Sequence, residues 1–286
     1  VSLNLQDLLW KDNILHRDAR NTPFQFELNS WEEETFYKIG DGEIVKVGEG
    51  ENLASLEVNE GTVALNQTAD TQGKQEAFKS VLVNPAGTLR LDNATPMNFS
   101  NITLNQGTLN LNGQSVTLAE QNVENTGLRA NQINGNIINN NAQTPANLTY
   151  ALSGERALSG KLGNDKGKLN LIYAPENDGS NLTLKGNSVI NVIDVQNGSV
   201  TYAAETAHQA NEAKIGTNAK LVLQSDTTAN IKNLDLAEGA QALIHNDLDK
   251  ITTLNTDNIT GKGDIIKTGS GLLILSGDIQ NSGKTD

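Results

Sequence analysis

Four aspartates have the side chain that glycosidic-bond cleavage needs: Asp247 and Asp249, with Asp226 and Asp235 as possible companions. That chemistry sets two carboxyls across the scissile bond, about 5–9 Å apart. A spacing of two would put Asp247 and Asp249 on one face of a strand. Asn and Asp also favour turns, because their side chains bond the local backbone. Asn246-Asp-Leu-Asp249 therefore reads as a turn, with a polysaccharide-cleaving enzyme kept as an alternative. The histidines His16, His208 and His245 have no partner at the HExxH spacing of a zinc site, and each is read as solvated. No Gly-x-Ser-x-Gly surrounds a serine, so a serine hydrolase is not supported. In Gly277-Asp-Ile-Gln-Asn-Ser-Gly-Lys-Thr285 the first glycine comes one residue too early for a phosphate loop. Cysteine is absent, which removes disulfides and thiolate chemistry. No catalytic residue, metal or cofactor is assigned.

The elements that would position any site are more legible. From Asn98 to Leu118 three apolar pairs recur: Ile102/Leu104, Leu109/Leu111 and Val116/Leu118. Spacing within a pair is two, the period of a strand with one buried face. Spacing between pairs is seven, and Asn, Gln and Gly fill the gaps. Three strand-turn units make about twenty-one residues, one coil of a β-solenoid. A single coil cannot bury its inward side chains and must stack on others.

The phrase returns along the chain. It reads Gly61-Thr-Val-Ala-Leu, Gly87-Thr-Leu-Arg-Leu, Gly107-Thr-Leu-Asn-Leu, Gly167-Lys-Leu-Asn-Leu, Ser180-Asn-Leu-Thr-Leu, Gly198-Ser-Val-Thr-Tyr and Ala219-Lys-Leu-Val-Leu. A further coil runs through Ile231, Leu234/Leu236 and Ala242/Ile244. Stretches 68–78, 129–146, 154–165 and 203–214 break the rhythm and are expected to be loops. The last holds enough Ala and Glu for a helical turn or two. Residues 133–141 could stack their amides in a ladder or form a polar loop.

Composition agrees with a thin rod. Hydrophobic residues are 36% of the 286 and aromatics 4%, too few for a large globular core. Bulky rings fit badly where arms stack about 4.8 Å apart. A net charge of −13 makes nucleic acid an unsuitable partner, since phosphate contacts need clustered Lys and Arg. No apolar run is long enough to span a bilayer. Val1-Ser-Leu-Asn-Leu lacks the basic and apolar regions of a signal peptide. Residues 1–50 carry both tryptophans and over half the aromatics, and are expected to cap or join one end of a β-helix spanning 51–286, with an irregular subdomain as the alternative.

Two motifs resemble a known family. Lys267-Thr-Gly-Ser-Gly-Leu-Leu-Ile-Leu-Ser-Gly277 is similar to the passenger-associated repeat of bacterial autotransporters. Gly61-Thr-Val-Ala-Leu-Asn-Gln-Thr-Ala-Asp70, with Gln75-Glu-Ala-Phe-Lys-Ser80 downstream, resembles the segment after the protease domain in the immunoglobulin A protease and Haemophilus adhesion and penetration protein group. The resemblance implies an all-β fold, a right-handed parallel β-helix with three-sided coils. It implies a passenger fragment without protease or barrel, on the bacterial surface or secreted, so the family's triad maps to no residue. It also implies adhesion. Partners would be the chain itself, face to face, in aggregation and biofilm, or host matrix proteins. Asn139, Asn140, Asn141 and Asp247 are the polar candidates for self-association. A passive stalk for an upstream protease is the second reading.

Overall fold

The computed structural model describes residues 13–27, 33–93, 99–119 and 127–286. Both tryptophans of the 1–50 stretch, Trp10 and Trp31, lie outside them. The chain divides into two units, Val1–Asn140 and Asn141–Asp286. Every described strand pairing in each is parallel. Both units are β-solenoid.

In the first unit the strands are β1 (Ile14–His16), β2 (Phe24–Glu27), β3 (Thr35–Ile39), β4 (Glu43–Glu49), β5 (Ser55–Thr68), β6 (Ser80–Leu91), β7 (Phe99–Asn110), β8 (Val116–Ala119) and β9 (Gly127–Ile138). The long β5 takes β3 against its first half, Thr35 opposite Ser55, and β4 against its second, Glu43 opposite Thr62. Two arms that are separate strands in one coil are thus continuous in the next. Parallel pairing already runs through the stretch before residue 50 that was expected to cap or join the helix. The rings of Phe26 and Phe36 there are buried, 6.1 Å apart.

In the second unit the strands alternate between two sheets. One holds β10 (Ala146–Tyr150), β12 (Leu169–Tyr173), β14 (Ser188–Val195), β16 (Ala207–Ile215), β18 (Thr228–Leu236), β20 (Ile251–Gly261) and β22 (Leu272–Ile279). The other holds β11 (Glu155–Leu158), β13 (Asn181–Leu184), β15 (Ser199–Tyr202), β17 (Lys220–Leu223), β19 (Gln241–His245) and β21 (Asp264–Thr268). Coil length follows from register: Ser188 faces His208, Ala207 faces Thr228, and Thr228 faces Thr253.

Three-sidedness is visible in the burial of β18. Ala229 and Ile231 point inward, Lys232 and Asn233 both point out, then Leu234 and Leu236 point inward again. Two consecutive outward residues break the period of two and turn the strand through a corner. One long strand supplies two arms and one short strand the third. Asn218, Asp226 and Asp249 take left-handed φ values of 62, 57 and 62° at turns, a region that Asn and Asp tolerate better than most residues.

The bore is filled by like side chains in stacks. Leu171, Ile193, Ala213, Leu234 and Ile259 lie in register from coil to coil, all buried. On the other sheet Leu182, Val200, Leu221, Ala242 and Ile265 do the same. Each large aliphatic side chain buried here contributes about 1.5–3 kcal/mol. The bore also accommodates rings: Tyr150, Tyr173 and Tyr202 are all buried, so aromatics are fewer than aliphatics but not excluded.

Three of the four expected loops contain strand. Residues 203–214 form most of β16 and no helical turn, with His208, Ala210 and Ala213 inward. Ladders to β14 and β18 outweigh the helix propensity of Ala and Glu, which is a weak preference. β9 occupies much of 129–146, and β11 lies within 154–165. Only 68–78 is largely irregular, turned by Asp70, whose carboxylate accepts the N–H groups of Gln72 and Lys74 at 2.8 and 2.9 Å.

Candidate functional site

Of the carboxylates considered for chemistry, Asp226 and Asp247 make contacts at turns. Residues 246–249 form the turn, and Lys250 N–H donates to Asp247 C=O at 3.2 Å. Buried Asn246 organises it: its amide donates to Lys250 C=O at 2.9 Å and Leu272 C=O at 2.6 Å, and accepts from Thr252 Oγ1 at 3.2 Å. Asp247 receives Ser225 Oγ at 3.2 Å and lies 3.3 Å from His245 Nε2. Asp226 accepts the Ile251 N–H at 2.9 Å and pairs with Lys250 at 3.2 Å. Those contacts, the backbone bond first, hold its carboxyl below the usual range, the opposite of what a general acid needs.

Of the polar run at 139–141, Asn139 is fully buried, and its Oδ1 accepts the Gly113 N–H at 2.9 Å. Asn140 N–H donates to Asn110 Oδ1 at 3.2 Å, and Asn141 Oδ1 caps a turn by accepting Gln143 and Thr144 N–H. Asn139 is thus part of the frame, and Asn140 and Asn141 sit at a turn.

His208 departs from the expectation of a solvated ring. It is 1% exposed, an inward residue of β16. Ser188 Oγ lies 2.6 Å from Nδ1 and Thr206 Oγ1 2.7 Å from Nε2. Thr206 donates its own proton to Ala203 C=O at 2.6 Å, so its oxygen accepts from Nε2–H. Nδ1 then accepts from the Ser188 hydroxyl. Both ring nitrogens are satisfied in the neutral form, and burial pushes the imidazole down to about 4. Ser188 is itself 2% exposed, which removes it as a nucleophile for an external substrate.

What the solenoid presents outward is a set of amide ladders. Asn170 donates to Asn147 at 2.8 Å, Asn191 to Asn170 at 2.9 Å and Asn211 to Asn191 at 3.0 Å. Along the same sheet Asn255 donates to Asn230, Ser276 to Asn255 and Asn258 to Asn233, at 2.9, 2.9 and 3.0 Å. In the first unit Asn84 donates to Asn59 at 2.6 Å and Asn105 to Asn84 at 3.0 Å. The partners are 20–25 residues apart in sequence, so a contiguous polar run does not mark these rows. The findable one was Asn at equal offset within successive phrases: Ala146-Asn-Leu and Leu169-Asn-Leu. The rows fix the rotamers of their amides. Asn170 spends both lone pairs on Asn191 and Val192, and Asn84 both N–H groups on Asn59 and Glu57, whereas Asn230 and Asn255 each use one lone pair along the row and keep hydrogen-bonding capacity for a partner.

No family model matches the chain. The adhesion and penetration protein autotransporter of Haemophilus influenzae is 33% identical over 194 residues, covering 59% of this chain and 13% of that protein. The crystal structure of the Haemophilus influenzae Hap adhesin matches 94% of this chain and 42% of its own, at a TM-score of 0.63 and 18% identity. The chain resembles the passenger region of serine-protease-type bacterial autotransporters. The serine protease SepA autotransporter of Shigella flexneri is 33% identical over 136 residues, 46% of this chain and 9% of that protein. The chain spans about a tenth of the length of these curated relatives, and the structural likeness shows a shared β-solenoid fold.

Proposed function

We propose that this chain is the non-catalytic β-helical part of a bacterial adhesin, displayed on the cell surface or secreted, and that it self-associates face to face. The carrying observation is the outward amide ladders, which repeat at the rise of the solenoid, about 4.8 Å. A second copy presents the same row, so one hydrogen bond recurs with every coil. Weak polar contacts repeated along two rows sum to avidity. The adhesion named in a relative supports the reading. Aggregation and biofilm follow when such faces lie on neighbouring cells, and host matrix proteins are a second kind of partner.

Sedimentation velocity at rising concentration tests self-association. A rising weight-average sedimentation coefficient is expected, with loss of the effect when outward Asn230 and Asn255 are both changed to Lys. A strict monomer at every concentration overturns it. A passive stalk is favoured only by the likeness to a serine protease autotransporter. It predicts that deleting these coils leaves cell aggregation unchanged.

A further inference from the structure

We propose that a groove on the second unit binds a linear polysaccharide carrying one carboxylate per disaccharide. The groove lies between the 161–168 excursion and the outward side of β14, β16 and β18. It shares Asn230 and Asn255 with the self-association face but does not depend on that association.

The excursion is built against the sheet. Leu162 N–H donates to Asn187 C=O at 3.1 Å, and Val189 N–H returns to Leu162 C=O at 2.8 Å. Gly163 turns the chain away at φ 75°, where a Cβ would strike the Val189 carbonyl. Residues 164–168 overhang the face beside it. Two lobes result, meeting at Val189. One of about 360 Å³ is lined by Lys161, Gln209 and Asn230. The other, about 290 Å³, is lined by Lys166, Lys168 and Asn211, with Asp165 among them.

Charge and spacing point to the ligand. The excursion holds three exposed lysines against one aspartate, in a chain of net charge −13. From the groove an uncharged row continues in register: Gln209, Asn230, Asn255, Ser276. Amides and hydroxyls suit the hydroxyls of a sugar. Two coils rise about 9.6 Å, the length scale of one extended disaccharide, so alternate coils meet equivalent sugars. The lysines bond the ligand's charge, and the row beyond them meets its hydroxyls. In a chain of net charge −13 a densely sulfated polymer is repelled away from the lysines. Carboxylates spaced one per disaccharide reach the lysine lobes with less repulsion elsewhere. No aromatic platform lines either lobe, so affinity per sugar is low and grows with chain length.

The test titrates the folded chain with a hyaluronan octasaccharide by calorimetry, beside a heparin octasaccharide and a neutral dextran octasaccharide. Hyaluronan should bind at about millimolar or tighter, more weakly as salt rises, and better than either control. Lys161→Glu, Lys166→Glu and Lys168→Glu together should weaken it about tenfold or more in a chain whose far-UV circular dichroism still shows the folded solenoid. Tetrasaccharides should bind less well than octasaccharides. Absence of hyaluronan binding, stronger heparin binding, or an unchanged affinity in the triple variant would each overturn the proposal.

Discussion

The Tyr202 ring and the His208 imidazole lie face to face inside the second unit, centroids 3.8 Å apart and planes 7° from parallel. The stack has no room for a charge. Burial holds the imidazole at about 4, below its ordinary 6.5, and both nitrogens are already bonded. Between these values the unfolded chain binds a proton that the folded one refuses. Stability is therefore complete above pH 6.5 and declines as pH falls toward 4, by about 3 kcal/mol from this residue at most. Urea midpoints measured from pH 7 to 4 should show the slope. His208→Gln should flatten it relative to the parent, whatever its effect at pH 7. An identical slope in both proteins would mean that this ring does not carry the dependence.

Two buried lysines act at the other end of the pH scale. Lys38 Nζ donates to the carbonyls of Ile39, Gly40 and Glu60 at 2.9, 2.6 and 3.1 Å. Lys46 Nζ donates to Val47 C=O at 2.9 Å and Gln67 Oε1 at 2.7 Å, and lies 5.9 Å from the Phe78 ring. Desolvation lowers both to about 8. In the unfolded chain each keeps its proton to about 10.5, so the penalty for burying charge is full below pH 8 and is relieved as pH rises from 8 to 10.5. The first unit should gain stability across that window, measured by thermal melts.

The same two lysines should respond differently to truncation. Lys38→Met removes a donor from three carbonyls. That of Ile39 still receives the Arg17 N–H at 3.1 Å, and those of Gly40 and Glu60 lose this partner, at about 1–3 kcal/mol for each one left unpaired and buried. Lys46→Met leaves two acceptors, of which Gln67 stays held through its amide N–H to Gly50 C=O at 2.9 Å, and places an apolar tip against Phe78. It should cost less than Lys38→Met and should remove its share of the alkaline gain. Denaturant titrations of both variants at pH 7.5 give the order directly.

The corner at Gly61 predicts a steric effect. Its φ is 71°, and a Cβ there would run into the carbonyl oxygens of Gly40 and Gly42 and come within 2.7 Å of Lys38 Nζ. Gly73 has a similar φ of 78° and open space around it. Gly73→Ala should cost only the backbone strain, about 1 kcal/mol, while Gly61→Ala should cost more, since the coils must also separate. Equal costs in chemical denaturation would mean that the first coil yields freely at this corner.

The period of two made the arms legible, because Leu169/Leu171 and Leu221/Leu223 must share a face whatever the register. Register itself was hidden. Coils of 20 residues, as from Ser188 to His208, and of 25, as from Thr228 to Thr253, follow one another without a marker. For that reason the inward parity of His208 and the strand at 207–215 were missed, and so were the partners in each amide row. Asn246 and Asp247 were readable as a turn because turn chemistry is local. The groove needs the excursion placed against β14, through Leu162 and Val189, which no local pattern encodes.

The amide rows have a direction, and that makes a last prediction sharp. In each described pair the later coil donates and the earlier accepts: Asn170 to Asn147, Asn191 to Asn170, Asn255 to Asn230. The Val192 N–H donating to Asn170 Oδ1 at 3.2 Å fixes which end of that amide is oxygen. A residue that only accepts can therefore sit at the base of a pair, and Asp235 does so beneath Thr260. Asn230→Asp should be neutral or slightly stabilising, since its oxygen still receives the Asn255 amide and now carries charge. Asn255→Asp removes the donor and sets a carboxylate against Asn230 Oδ1, which should cost about 0.5–1.5 kcal/mol. Urea unfolding at pH 7 compares the two. If Asn230→Asp proves the more damaging, the rows run the other way.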